Sequence, residues 1–357
     1  MLGACASPLT EAYDLAMLDL DGVVYIGGHA VPAAAEAITT ARDAGMHVGF
    51  VTNNASRTPD SIARQLTGLG VPALPGDVVT SAQAAARVVA ARVPPESRVL
   101  LLGGEGLAAA LIEEALIPVT APEDGVAAVV TGYGPDVLWR DIMRAAVLIR
   151  DGLWWVASNG DMTLPTAFGL APGHGVLVRM LEQFAQVSPQ TAGKPHRPLL
   201  DETVRRLGGQ RPLMVGDRLD TDILGAHRAE LDSLLVLTGV TGLAELVAAT
   251  PGLRPTYVAS DLTGLLHAQP APELDDGSAS CGGWRARVGT VGSRSTATVW
   301  QTTGGGSPPW RAGSTSTSTG RPPTSVGPTH RLPAGPRSRP HRPDRVGAWT
   351  TRCPRTS

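Results

Sequence analysis

The stretch AMLDLDGVVYIGG, residues 16–28, contains the pattern that decides the fold. An apolar run leads into two aspartates, Asp19 and Asp21, and Gly22 follows at once. Two neighbouring carboxylates at the end of a buried strand repel each other and resist desolvation, so they are tolerated where a cation or a chemical task compensates their charge. Since no Lys or Arg lies within ten residues of the pair, that charge must come from a distant part of the chain or from a metal ion.

Similar apolar runs recur along residues 12–267 and alternate with helical patterns. The predicted strands are 13–20, 47–54, 98–104, 126–133, 153–160, 212–218 and 233–239. The predicted helices are 33–45, 58–70, 106–117, 137–152, 175–187, 197–209 and 222–232. Uninterrupted apolar strands that alternate with helices predict an α/β protein with a Rossmann-like, doubly wound parallel sheet.

The aspartate pair suits nucleophilic phosphoryl transfer. A carboxylate such as Asp19 can attack phosphorus and form an aspartyl phosphate. Asp21 points the same way on a strand, so it can protonate the leaving alcohol and later deprotonate the attacking water. Thr52 and the free amides of the turn that follows it suit phosphate oxygens, although Thr and Asn are also ordinary turn residues.

Two further segments supply a cation and more carboxylates. Lys194 is the only lysine of the chain, which indicates that a compact ammonium is needed there, with chance survival as the alternative. The segment MVGDRLDTDILGA, residues 214–226, contains Asp217, Asp220 and Asp222. Oxygen ligands at a strand end indicate Mg²⁺, with Asp217 as the predicted ligand. Asp220 is expected to cap the helix that follows.

Four motifs in this order, DLDG, TNN, GKP and GDRLDTDI, resemble those of the haloacid dehalogenase superfamily of phosphatases. The resemblance covers residues 12 to about 268. The last motif and the segment 157–175 resemble subclass IIA, the NagD and p-nitrophenyl phosphatase type, and within it the actinobacterial glycerol-3-phosphate phosphatases. One departure is SNGD at 158–161, where relatives often have TNPD.

The resemblance implies a role for each motif residue. Asp19 would be the nucleophile, and Asp21 would be the acid/base that also binds the metal through its backbone carbonyl. The implied metal ligands for Mg²⁺ are Asp19, Asp21, Asp217 and Asp222. The implied phosphate ligands are Thr52, Asn53 and Lys194. The implied substrate is a small phosphorylated metabolite, glycerol 3-phosphate ahead of a nucleoside monophosphate or phosphoglycolate.

The subclass also carries an α/β cap inserted between its second and third motifs. The expected domains are a first core part at 1–81, the cap at 82–186, a second core part at 187–268 and a tail at 269–357. A homo-oligomer formed through the cap is a further expectation.

The tail differs in composition from the rest of the chain. Residues 277–357 contain 12 Arg and one acidic residue, whereas residues 1–276 contain 18 basic and 31 acidic residues. Because Gly, Pro, Ser, Thr and Arg dominate the tail, it cannot bury enough apolar surface to fold and is expected to be disordered. Three interpretations stay open: a basic arm that contacts nucleic acid, an inert extension, or a frame-shifted translation, which we favour.

Other features limit the compartment and the protein class. Cys5, Cys281 and Cys353 are far apart, which argues against a disulfide framework. No export signal and no membrane span are predicted, so we expect a cytoplasmic enzyme.

Three alternatives to a phosphatase site can be stated from the residues. GxGxxA in RVLLLGGEGLAAAL, residues 98–111, imitates the dinucleotide motif of a dehydrogenase. A non-catalytic phospho-acceptor, like a receiver domain, would also use Asp, Thr and Lys. The histidines at 174, 196 and 227 are too irregularly spaced for a metal cluster, and we expect them to be solvated or to cap helices.

Overall fold

The computed structural model describes residues 2–121, 125–166 and 169–273, together with the backbone of 274–275, 278–281, 284–291, 294–301 and 315–317. Its strands are β1 (Cys5–Pro8), β2 (Leu15–Leu18), β3 (Tyr25–Ile26), β4 (His29–Ala30), β5 (His47–Thr52), β6 (Val78–Thr80), β7 (Arg98–Leu102), β8 (Ile117–Val119), β9 (Val126–Thr131), β10 (Trp155–Ala157), β11 (Thr163–Thr166), β12 (Gly169–Pro172), β13 (Gln190–Thr191), β14 (Pro212–Gly216), β15 (Asp232–Val236), β16 (Tyr257–Ala259), β17 (Ala268–Gln269), β18 (Glu273–Asp275), β19 (Ser278–Cys281), β20 (Trp284–Val291), β21 (Arg294–Gln301) and β22 (Thr315–Thr317). The α-helices are α1 (Leu9–Ala12), α2 (Ala34–Asp43), α3 (Pro59–Gly68), α4 (Ser81–Ala90), α5 (Glu105–Glu113), α6 (Trp139–Arg150), α7 (His174–Ala185), α8 (Arg197–Leu207), α9 (Leu224–Ala229) and α10 (Leu243–Ala248). A π-helical turn, Leu219–Ile223, leads into α9.

A six-stranded parallel sheet forms the centre, in the order β16-β15-β14-β2-β5-β6. The apolar runs predicted four of these strands, β2, β5, β14 and β15. The sequence prediction missed the two edge strands, β6 and β16, because three residues are too short to show a pattern. Since β2 is flanked by β14 and β5, its carboxyl end lies in the middle of the sheet edge.

Both faces of this sheet are covered, which explains the uninterrupted apolar character of β2. Ala16 and Leu18 pack into a core formed with helices α2 and α3, whereas Leu15 and Met17 pack into a second core with α8 and α9. All four side chains have no exposed surface. The predicted α/β, doubly wound architecture is confirmed.

A second parallel sheet, in the order β13-β10-β9-β7-β8, is inserted between β6 and β14. We call residues 98–191, which supply its strands, the inserted unit. One face packs against α6 and α7 through residues such as Ile149 and Leu181, and the other face contributes Val99 and Val156 to the same core as α8. An inserted α/β unit is thus confirmed, while its predicted boundaries, 82–186, stay a prediction.

The segment predicted to be a disordered tail, residues 269–357, is described in part. The backbone of β18 to β22 forms an antiparallel sheet in sequential order. The remaining part of the prediction, including 302–314 and 318–357, lies outside the described residues. Within the described part of the chain, the helices are too short or too polar to cross a membrane.

Candidate active site

The two aspartates lie just beyond β2, where the strand meets an open cavity. The backbone N–H of Asp19 donates to the carbonyl of Val215 at 2.9 Å, which fixes the residue beside β14. Gly22 then adopts φ +87°, and a Cβ there would lie 2.4 Å from Oδ2 of Asp217. Glycine is therefore required at this position both for the turn and for the approach of Asp217. Asp19 and Asp21 both line the cavity, as the strand-end pattern predicts.

Lys194 brings a buried ammonium to the nucleophile candidate. Its Nζ lies 2.7 Å from Oδ1 of Asp19 and 2.7 Å from Oδ1 of Asp222, although 175 residues separate it from Asp19 in sequence. Only 2 % of its side chain is exposed. Burial alone would lower the pKa of Lys194, but the negative charges of Asp19 and Asp222 outweigh it and raise the pKa, so the side chain stays protonated.

Three carboxylates, those of Asp19, Asp217 and Asp222, lie within 4.8 Å of one another. Asp217 is held by the backbone N–H of Val240, which donates to Oδ2 at 2.6 Å, while its buried Oδ1 has no hydrogen-bond partner among the described residues. Gly239 leaves room for this side chain, because a Cβ there would lie 2.0 Å from Oδ2 of Asp217.

The electrostatics of this cluster fit a divalent cation. Three carboxylates and one ammonium leave two negative charges uncompensated. Burial, together with the charges of Asp19 and Asp222, raises the pKa of Asp217 to about 7. Burial likewise raises the pKa of Asp222, against the opposing effect of Lys194. Hard oxygen ligands, an unpartnered buried oxygen and an excess of negative charge match what Mg²⁺ requires. The residues present therefore fit that ion.

Asp21 has a different environment. Although part of the residue is exposed, desolvation beside the cavity raises the pKa of its carboxyl group. A raised pKa increases the fraction of Asp21 that carries a proton, which suits a group that protonates a leaving alcohol. The two aspartates of the motif are thus differentiated: Asp19 pairs with Lys194, whereas Asp21 faces the cavity.

The predicted phosphate ligands differ in what their side chains contact. Thr52 is buried at the end of β5 and lines the cavity, and its Oγ1 accepts from the backbone N–H of Asn54 at 3.1 Å. The Asn53 side chain instead holds the main chain of Lys194: its Oδ1 accepts from the backbone N–H of Lys194 at 2.8 Å, and its Nδ2 donates to the Lys194 carbonyl at 3.0 Å. Phosphate binding by Asn53 stays a prediction. Because its side chain already bonds to Lys194, its backbone would have to make the contact with phosphate.

The inserted unit supplies residues that the sequence analysis did not assign to the active site. The cavity, about 470 Å³ in volume, is lined by Asn159, Asp161 and His174 from this unit. Asn53 Nδ2 also donates to Oδ1 of Asp161 at 3.1 Å, and Asn159 Nδ2 donates to the Asn53 carbonyl at 2.8 Å. The SNGD segment, noted only as a departure from relatives, therefore joins the inserted unit to the lysine site.

Two expectations about single residues are wrong. Asp220 does not cap a helix but pairs with Arg218, whose Nη2 lies 2.8 Å from Oδ2 of Asp220. This charged partner competes with the free amides of the helix end. His174, expected to be solvated or to cap a helix, has 4 % of its surface exposed and no side-chain capping hydrogen bond. Its ring is enclosed because α7 begins inside the unit, against the SNGD loop.

The dinucleotide-like motif at 98–111 serves packing. The backbone N–H of Gly106, in the first turn of α5, donates to the carbonyl of Ser56 at 3.0 Å. A Cβ at Gly106 would lie 2.4 Å from the carbonyl oxygen of Arg57. The loop at 54–57 thus occupies the place that a pyrophosphate would need, so the dehydrogenase alternative is wrong.

Comparisons with known proteins agree with this geometry. The model of a haloacid dehalogenase-like hydrolase family matches residues 16–116, and a second hydrolase model of the same kind matches residues 191–265. D-glycerol 3-phosphate phosphatase of Mycobacterium tuberculosis is 44% identical over 257 residues, 72% of each chain. A 5'-nucleotidase of Bacillus subtilis is 33% identical over 71% of this chain and 97% of its own length.

Among solved structures, glycerol phosphate phosphatase from Mycobacterium tuberculosis in complex with magnesium has a TM-score of 0.72 and 42% sequence identity. The match covers 79% of this chain and 84% of that chain. The likeness therefore includes the central sheet and the inserted unit.

Proposed function

Because this chain belongs to the haloacid dehalogenase-like hydrolases, we propose that it is a Mg²⁺-dependent phosphatase of small phosphomonoesters, with Asp19 as its nucleophile. The observation that carries the proposal is the position of Lys194 Nζ, 2.7 Å from both Asp19 and Asp222, beside a cluster of three carboxylates at the base of a cavity. Magnesium in the similar mycobacterial phosphatase supports the choice of ion.

In the first step, a carboxylate oxygen of Asp19 attacks phosphorus, and the bond from phosphorus to the ester oxygen breaks. Asp21 donates its proton to that oxygen, so the product leaves as an alcohol. Lys194 neutralises charge on the transferred phosphoryl group, and Thr52 donates its hydroxyl to a phosphate oxygen. The phosphoryl group is then held as an aspartyl phosphate on Asp19.

In the second step, Asp21, now ionised, takes a proton from a water molecule that attacks phosphorus. The bond to Asp19 breaks, inorganic phosphate is released and both aspartates return to their initial states. Asp19, Asp217 and the backbone carbonyl of Asp21, with Asp222 in support, would hold a Mg²⁺ ion, whose positive charge would screen the nucleophile and the phosphate oxygens from each other. Asp222 also orients Lys194.

Glycerol 3-phosphate is the substrate that we favour. The similar mycobacterial protein carries that activity in its name, and 44% identity over 257 residues includes both the sheet and the inserted unit. The cavity of about 470 Å³ suits a small ligand, since typical small-molecule sites measure about 300–1,000 Å³. The relative named a 5'-nucleotidase makes nucleoside monophosphates the second candidate, ahead of phosphoglycolate. A receiver-like phospho-acceptor would have no use for the inserted unit.

The test is phosphate release by the full chain with Mg²⁺ and four substrates: glycerol 3-phosphate, phosphoglycolate, UMP and p-nitrophenyl phosphate. Asp19→Asn serves as the inactive variant. Asp14→Asn is a matched control, because Asp14 precedes the opposite end of β2 and bonds to the backbone of residues 210 and 211. We expect release that requires Mg²⁺, disappears in Asp19→Asn and persists in Asp14→Asn. Equal release by both variants would contradict the proposal.

Two expectations from the sequence stay predictions, namely the cytoplasmic location of the enzyme and the formation of a homo-oligomer through the cap. Sedimentation velocity of the full chain measures the second.

A further inference from the structure

His174 is a buried polar residue that the proposed mechanism does not use. It begins α7 in the inserted unit and lines the same cavity as Asp19 and Lys194. Its Nδ1 lies 2.9 Å from the backbone carbonyl of Asn159, while its Nε2 is buried and has no hydrogen-bond partner within the described part of the chain. A buried polar atom without a partner is uncommon and calls for an explanation.

The contact with Asn159 defines the chemistry of the free nitrogen. A carbonyl oxygen can only accept, so Nδ1 carries the proton of this hydrogen bond. Burial lowers the pKa of His174 to about 4, so the ring is neutral near pH 7. In a neutral ring with the proton on Nδ1, Nε2 has a lone pair and no hydrogen. His174 therefore offers a hydrogen-bond acceptor, which a phosphate or a carboxylate cannot satisfy.

The position of the ring is fixed by close backbone packing on both sides. A Cβ at Gly173 would lie 2.3 Å from the carbonyl oxygen of Asp161, and one at Gly175 would lie 2.2 Å from that of Gly160. The backbone N–H of Gly175 donates to the Asp161 carbonyl at 2.8 Å. The start of α7 is thus locked onto the loop that also holds Asn53, and through it onto the main chain of Lys194.

We propose that Nε2 of His174 accepts a hydrogen bond from a hydroxyl group on the alcohol part of the substrate, and that it thereby selects polyol phosphates. The inference rests on the proposed phosphatase function and narrows its substrate class. Glycerol 3-phosphate has hydroxyl groups that can donate to such an acceptor. Phosphoglycolate presents a carboxylate in their place, whose lone pairs would face that of Nε2, and propyl phosphate has no donor.

The experiment compares kcat/KM of the full chain for glycerol 3-phosphate and for propyl phosphate, which differ only in the hydroxyl groups. The variants are His174→Leu, which removes the acceptor, and His174→Gln, which keeps an amide oxygen at a similar distance. Val178→Ala is the matched control, since Val178 is buried one turn further along α7 and does not line the cavity.

We expect the ratio of the two kcat/KM values to fall about tenfold in His174→Leu, the usual effect of one hydrogen bond to a substrate hydroxyl. It should recover in part in His174→Gln and stay unchanged in Val178→Ala. An equal loss for both substrates in His174→Leu, or an unchanged ratio, would overturn the inference, because the residue would then serve packing alone.

A second measurement keeps His174 in place, so it does not depend on the stability of the His174 variants. In Asp19→Asn with Mg²⁺, glycerol 3-phosphate binds without turnover, and the ¹⁵N resonance of His174 Nε2 should shift towards that of a hydrogen-bonded acceptor. Propyl phosphate should leave the resonance in place, and equal shifts with both ligands would refute the inference.

The phosphate-release assay separates this inference from the proposed function. Release from p-nitrophenyl phosphate but not from glycerol 3-phosphate would overturn the inference and leave the proposed phosphatase function intact. No release from any ester would contradict the proposed function itself.

Discussion

Two clusters in this molecule each combine carboxylates with cationic side chains, but their charges balance in one cluster and not in the other. The α8 ion cluster consists of six residues: Arg87, Glu113, Glu114, Glu202, Arg205 and Arg206. Its three positive and three negative charges balance. Glu202, the most buried member, is 3 % exposed and accepts hydrogen bonds from both Arg205 and Arg206.

The cluster at the end of β2 is left unbalanced. Lys194 forms ion pairs with two of its three carboxylates, those of Asp19 and Asp222. One oxygen of Asp217, the third, has no hydrogen-bond partner among the described residues. In a structural ion cluster, the charges are compensated by other side chains, whereas a functional cluster keeps a net charge that a ligand or a metal ion must compensate. The predictions below test this difference.

The largest effect is expected at the nucleophile. Asp19→Asn replaces an attacking carboxylate with an amide that cannot form an acyl phosphate, so kcat should fall by more than about a hundredfold. Circular dichroism should show an intact fold. Phosphate release is the measurement, and activity above about one hundredth of the wild-type value would refute the role of Asp19.

A somewhat smaller effect is expected at the lysine. Lys194→Ala removes the charge that faces the phosphoryl group, so kcat/KM should fall by about 10²–10³, by analogy with the loss of an oxyanion donor. Arg197→Ala is the control, because Arg197 is an exposed cation three residues further on. If the Lys194 variant and the control behave alike, the uniqueness of this lysine is a coincidence.

The balanced cluster should affect stability and leave activity nearly unchanged. Glu202→Gln leaves two arginines without their shared carboxylate, which we expect to lower the free energy of unfolding by about 2 kcal/mol at pH 7. Burial alone would raise the pKa of Glu202, but the hydrogen bonds from Arg205 and Arg206 outweigh it and lower the pKa.

The stabilisation by Glu202 is therefore fully present above the ordinary pKa of 4.5 and is lost as the pH falls through the lower folded-state value. Urea denaturation at pH 7 and pH 3 measures this, with the exposed Glu36→Gln as control. A stability difference between wild type and Glu202→Gln that grows on acidification would contradict the assignment.

The smallest expected effect is a change in the free energy of unfolding whose sign depends on whether Mg²⁺ is present. Without Mg²⁺, Asp217→Asn removes one uncompensated buried charge, so at pH 8 the variant should be more stable than the wild type by about 1 kcal/mol. With saturating Mg²⁺ the order should reverse, because the ion stabilises the protein that binds it more tightly. Urea denaturation with Mg²⁺ and with EDTA is the measurement. The same order of stability under both conditions would count against a metal site here.

The sequence predicted the central strands and their polar ends because local patterns carry that information. Each long apolar run became a strand, and Asp19, Asp21, Thr52 and Asp217 line the cavity beside them. Helix α4 was missed although Thr80 and Gln83 form a capping box, a signal that the sequence displays openly.

The other half of the site could not be predicted from local patterns. His174 and Asp161 reach the cavity because the SNGD loop is hydrogen-bonded to Asn53. The bond between Asn53 and Asp161 joins residues that are 108 positions apart in the sequence. The contacts of Asn53 could not be predicted for the same reason. The sequence indicated that this residue binds phosphate, whereas its side-chain amide forms hydrogen bonds with the main chain of Lys194. Which donor finds which acceptor is decided by packing of distant segments.

The pairing of β2 has a consequence for biosynthesis. One neighbour, β5, follows β2 closely along the chain, whereas the other, β14, pairs Val215 with Leu18 and is made only after the whole inserted unit. While the nascent polypeptide emerges from the ribosome, its innermost strand therefore has an open apolar edge, and the aspartate at its tip still lacks the ammonium group. Such an edge is a template for wrong pairing until residues 212–216 have been translated and β14 can cover it.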